Sequence, residues 1–224
     1  MTRISVNKLG EYLICQDPAR RRRIITDQKH PSAIIVSLYR LATEPLTTFL
    51  ASGGVDSLTL DRSVVRLRSD MSGTDRAITD RRNTAEALEH FLQMAGELPW
   101  EGVKYLRGQE QAPHLNIKGV AVSVRPDYLL MFEQRGVLCV GAIKFHFRKT
   151  MDHPLGRDGG EYVATLVQRW LVEHGPAGRK VMPTHCLSID LFRRAIVCAP
   201  NATTRRMSKI TAACEEIAAQ WDRL

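Results

Sequence analysis

Long hydrophobic runs are missing from this sequence: no stretch approaches the roughly 20 apolar residues that a bilayer crossing requires, so no membrane partner is expected. The opening residues, Met1, Thr2, Arg3, Ile4, Ser5, Val6, Asn7 and Lys8, carry neither the apolar core of a secretion signal nor a lipidation motif. A cytoplasmic location is therefore expected. Cysteine is scarce and odd in number, with five residues at Cys15, Cys139, Cys186, Cys198 and Cys214. None stands in a CxxC pair, so neither a zinc site nor a disulfide framework is indicated. Four of them sit in apolar or helical runs, where a thiol serves as a small hydrophobe. Aromatic residues make up only 6% of the chain, which argues against a sandwich built around large rings. No P-loop, GxGxxG fingerprint or GxSxG elbow occurs, and nucleotide-binding and acyl-hydrolase readings lack a motif. The histidines, His114, His153 and His185 among them, show no ligand spacing such as HxxxH. Internal repeats and low-complexity tracts are also lacking.

What is present in excess is positive charge. The 224 residues carry a formal charge of +8 and a pI near 9.5, while 44% hydrophobic residues can supply a core for one large domain or two small ones. Such a balance favours a polyanionic partner, nucleic acid first and an anionic membrane surface second. Arginine dominates, in Arg20, Arg21, Arg22 and Arg23, in Arg81-Arg82, in Arg193-Arg194 and in Arg205-Arg206. The guanidinium fork suits phosphate oxygens, and it also suits carboxylates inside a fold. Arg205, Arg206 and Lys209 fall at the start of a predicted helix, where the macrodipole disfavours cations. An arriving anion would relieve that placement.

Residues 1–83 read as a helical region and residues 84–224 as an α/β core, an α+β chain overall. Ser5 caps a helix through Leu13, and Asp17-Pro18 is a cap-and-first-turn start for a helix through Gln28. Pro31 opens another, with Ile34, Ile35, Leu38, Leu41 and Ala42 in helical period and Pro45 kinking or ending it. Ser52-Gly53-Gly54 is a break, and residues 57–71 and 77–95 are helical. Beyond Pro99 the period becomes β-type. One run covers residues 117–124, interrupted by Gly119, and a second covers 128–133. A turn at Gln134-Arg135-Gly136 then leads to a nearly continuous apolar strand over 137–147. A polar, glycine-rich loop is expected over 152–160, then a helix over 161–174 and strands over 185–191 and 195–199. The closing helix from about Thr203 carries Met207, Ile210, Cys214, Ile217, Trp221 and Leu224 in one stripe, read as core or as a contact to a second copy or protein partner.

Chemistry concentrates in the strand pair. Pro126-Asp127 sets a carboxylate at a strand start, and Lys144 interrupts the apolar strand 137–147. A buried ammonium is costly unless paired or used. Strand alternation puts Ala142, Lys144 and His146 on one face, which a hairpin brings beside Asp127. A carboxylate that holds a divalent cation and a lysine that orients water are what metal-assisted phosphodiester hydrolysis uses.

Pro126-Asp127, a hairpin, and Ala142-Ile143-Lys144 resemble the paired motifs of the PD-(D/E)XK nuclease superfamily, and residues 84–191 are predicted in its order of helix, three strands, helix and strand. The resemblance implies a restriction-endonuclease-like αβββαβ core, Mg²⁺ or Mn²⁺ as cofactor, and phosphodiester hydrolysis of DNA by Asp127 and Lys144, with Asp127 as metal ligand. The superfamily expects Asp or Glu where this chain has Ala142. Three readings follow. Glu86 or Glu89 on the preceding helix, or Glu161 on the following one, supplies the carboxylate; His146 contributes as ligand or base; or the fold is kept for binding nucleic acid or a protein partner without catalysis. In many members the helix after the lysine strand carries Gln and Tyr that contact substrate; Tyr162 and Gln168 stand there, in or beside the polar stripe of Glu161, Thr165 and Gln168.

Overall fold

The computed structural model describes residues 1–31, 39–149 and 155–224, and among them the chain is α+β, with helices flanking two sheets. The first helix, α1 (Val6–Ile14), is capped by Ser5, whose Oγ accepts from the Lys8 amide at 3.4 Å. The second, α2 (Pro18–Lys29), starts as its sequence dictates: the Asp17 carboxylate accepts from the Ala19 amide at 2.9 Å, and Pro18 fills the first position, where no N–H is needed. Most of the helix predicted from Pro31 lies outside the described residues; its described end, Arg40–Ala42, is a single 3₁₀ turn. It runs into α3 (Thr43–Ala51). Pro45 does not end that helix. It occupies the first turn, whose amide groups have no intrahelical acceptor anyway. Two further helices follow, α4 (Ser57–Ser69) capped by Asp56 and α5 (Asp75–Met94) capped by Thr74.

Eight strands are described: β1 (Arg3–Ser5), β2 (Lys104–Arg107), β3 (Leu115–Ile117), β4 (Val120–Ser123), β5 (Tyr128–Gln134), β6 (Val137–His146), β7 (Lys180–Asp190) and β8 (Ala195–Cys198). The larger sheet has the order β2-β5-β6-β7-β8, with β6 parallel to β7 and the other neighbours antiparallel. The smaller is β1-β4-β3. Here the structure corrects the sequence reading. The run 117–124 is not the first strand of a three-stranded meander but part of a separate hairpin. Lys118 and Gly119, at φ 51° and 78°, form its two-residue turn, so Gly119 connects strands and does not interrupt one. The place beside β5 is taken by β2, whose four residues pair Lys104–Arg107 against Tyr128–Met131. The predicted turn at Arg135-Gly136 is present, with both residues at positive φ.

The helix between the parallel strands, α6 (Gly156–His174), begins earlier than predicted. Its first-turn glycines belong to the helix because α1 crosses them closely: a Cβ on Gly10 would stand 2.9 Å from Val163 and 3.2 Å from the Gly159 carbonyl. The last helix, α7 (Thr204–Trp221), buries Ile210, Cys214, Ile217 and Trp221 in the chain's own core. That stripe is internal packing and is not available as a dimer contact.

The larger sheet is the middle of three layers. Val140 and Ala142 of β6 face a core made with α1, α2, α6, α7 and the smaller sheet. Ile143 and Phe145 face the opposite core, made with α3, α4 and α5. The expected boundary at residue 83 falls inside α5, and β1 from the first region pairs with β4 from the second. Elements of residues 1–83 thus cover both faces of the sheet.

Candidate functional site

Asp127 extends the β5–β6 ladder by one residue, its amide donating to the Ile143 carbonyl at 2.8 Å. Its side chain lies on the face opposite Tyr128 and so on the side of Lys144. One carboxylate oxygen accepts from the Phe145 amide at 2.7 Å, and Lys144 Nζ stands 3.3 Å from the carboxylate. The ammonium also donates to the Arg125 carbonyl at 2.9 Å. Arg125 holds a φ of 42°, which turns its carbonyl toward the strand pair just before Pro126. The sequence-predicted neighbours Asp127 and Lys144 are therefore brought together, and both have partners. Ala142, two residues before Lys144, is fully buried in the α1/α6 core.

His146 shares this face as predicted but is buried, 4% exposed. Burial pulls its imidazole down to about 4; Glu11 pulls the other way, while Lys8, Arg148 and Arg193 add to the depression. It is neutral near pH 7, and its Nε2 has no hydrogen-bond partner among the described residues. Its strand neighbour across the ladder is Asp190, whose carboxyl is pushed up by burial and which accepts from the Arg193 amide.

The proposed replacement carboxylates are elsewhere. Glu86 and Glu89 ride on α5, which covers the opposite face of the sheet. Glu86 meets Lys149 at 2.6 Å, and Glu89 takes both forks of Arg68 at 3.0 and 2.5 Å. Glu161 is paired with Arg157 and Arg206. Tyr162 is buried in the core, and Gln168 is half-buried with its Oε1 unpartnered among the described residues; neither faces open solvent as a substrate contact would. Among the described residues, no three His, Cys, Asp or Glu side chains come together in a way that could hold a metal ion.

The arginine run divides by helix face. Arg20 reaches Glu11 at 3.5 Å; Arg21 lies 4.3 Å above the Tyr12 ring and 3.2 Å from Glu216. These two tie α2 to α1 and α7. Arg22 and Arg23 are exposed, as is Arg205, whereas Arg206 is engaged by Glu161.

Sequence reading found α1 as a helix but missed its place at this site. Asn7 donates from Nδ2 to the Phe145 carbonyl at 2.9 Å, on the residue whose amide binds Asp127. One turn along, Glu11 is 3% exposed and is met by Lys8, Arg20 and Arg148. Burial pushes the Glu11 carboxyl up, but Lys8 and Arg148 outweigh it and hold the group below its ordinary range. In sequence, Asn7, Lys8 and Glu11 look like any solvated helix face, and nothing signals that a sheet end lies against them.

No protein-family model matches this sequence, and no curated protein matches it at a significant level. Among the described residues no helix is long and apolar enough to cross a membrane.

Proposed function

We propose that this chain is a nuclease-derived module that binds DNA through its phosphates and does not cut it. Support for the frame comes from the larger sheet: with the β3–β4 hairpin inserted between β2 and β5, the order α5, β2, β5, β6, α6, β7 gives helix, three strands, helix, strand, with Asp127 leading β5 and Lys144 on its neighbour. Support for binding comes from the charge of +8 and from the exposed Arg22, Arg23 and Arg205.

The observation that carries the non-cleaving half is the state of Asp127. One oxygen is taken by the Phe145 amide and Lys144 closes on the carboxylate, while position 142 carries a buried methyl. A hard divalent cation needs several oxygen ligands, and among the described residues no group of three acids, histidines or cysteines includes Asp127. The donor set does not fit Mg²⁺ or Mn²⁺. The test is retention of labelled duplex DNA over a salt series. Retention that falls steeply with salt supports the proposal; retention absent at low salt overturns it.

A further inference from the structure

Lys8 and Arg20 are cations largely withdrawn from water, at 28% and 16% side-chain exposure, and both are spent on the same carboxylate. Lys8 Nζ lies 3.0 Å from each Glu11 oxygen, and Arg20 Nη2 lies 3.5 Å from Oε2, which Arg148 also contacts. A single negative charge thus serves two cations even before Arg148 is counted. Excess buried charge of one sign is unfavourable unless something balances it. Arg20 Nε is also buried without a hydrogen-bond partner among the described residues. Another acid near Glu11, Asp190, is engaged by the Arg193 amide and faces an Arg193 charge of its own. No acid besides Glu11 is paired with Lys8 or Arg20 among the described residues.

We infer that Lys8 and Arg20, which share Glu11, form a seat for a phosphate group, which Glu11 holds ready in its absence. A phosphate supplies the missing negative charge, and its tetrahedral oxygens accept from an ammonium and a guanidinium at once. It enters on the Lys8 side, the more exposed of the two cations. The seat adjoins the Asp127–Lys144 pair through Asn7, which bonds the strand residue between them. A strand terminus, an internal phosphodiester and free inorganic phosphate all offer this chemistry.

The experiment is thermal unfolding of the full chain in inorganic phosphate against sodium chloride at matched ionic strength. Bound ligand stabilises the native state by mass action. Phosphate should raise Tm above the chloride control, Lys8→Gln should abolish that rise, and Glu11→Gln should enlarge it while lowering Tm in chloride. Equal Tm in both salts for the wild type overturns the inference, as does a rise that survives Lys8→Gln. Arg20→Gln risks loosening α2, so direct binding of oligonucleotides with 5′-phosphate, 3′-phosphate or hydroxyl ends to the Lys8→Gln chain gives a second readout. A loss of roughly tenfold in affinity confined to one phosphorylated end assigns the seat to that terminus. Equal loss for all three assigns it to internal phosphates. If inorganic phosphate binds but no oligonucleotide does, the seat stands and the DNA-binding proposal falls; if oligonucleotides bind with no dependence on Lys8, the reverse holds.

Discussion

Asp127 stabilises the end of β6 from two directions, accepting from the Phe145 amide and from Lys144. Asp127→Asn keeps an acceptor for the amide and loses the charge, so urea denaturation should report a loss of about 1–2 kcal/mol. Lys144→Met keeps the stem and removes a mostly buried charge; its effect on stability should be smaller. His146 gives a pH signature. Its imidazole is depressed by burial to about 4 in the folded chain, while the unfolded chain has the ordinary value near 6.5. The unfolded state therefore binds the proton first. The stabilising contribution is complete above the unfolded value and is lost as pH falls from about 6.5 toward 4, on the order of 3 kcal/mol in all. Asp190, pushed up by burial, works in the opposite sense, so the His146→Phe difference curve isolates the imidazole. A difference curve flat across that window would contradict the assignment. At this scale the sequence named Asp127 from its place at a strand start after Pro126 and Lys144 as the charge in an apolar strand, and alternation added His146, because a strand's period places residues on faces without knowledge of the fold. It did not find Glu11 or Asn7, since Asn7 bonds Phe145 of β6 and Glu11 meets Arg148 just beyond that strand, each more than a hundred residues away.

Helices with local start signals were legible: Ser5 and Asp17-Pro18 each cap where a helix begins. Elements defined by tertiary contact were not. The four residues of β2 carry too little pattern to declare a strand, and β1 exists only because β4 lies beside it. The glycines after residue 155 read as a loop by composition, whereas Gly159 meets α1 at its crossing with α6. Gly10→Val tests that contact. The added branches collide with Val163 and with the Gly159 carbonyl, which cannot swing away as a side chain end would. The expected loss is about 2 kcal/mol or more, read as a lower denaturation midpoint; an unchanged midpoint would show that the helices separate easily and that the close crossing is incidental.

On the scale of the whole molecule, the sheet divides two cores, and the site lies at the end of β5 and β6 where α1 overlaps the sheet. This arrangement explains why the absent carboxylate is not simply restored. Ala142 is fully enclosed between the sheet and the α1/α6 layer, so Ala142→Glu buries a charge in a packed core and should destabilise by more than about 3 kcal/mol. The acidic residues of α5 are on the wrong side of the sheet to compensate. The most direct measurement is to incubate the wild-type chain with end-labelled duplex DNA in Mg²⁺ and in Mn²⁺, following retention and strand length together over a salt series. Intact DNA retained at low salt and released as salt rises is the predicted result. Shortened strands that require the metal and disappear in Asp127→Asn would contradict it, and would make the chain an enzyme.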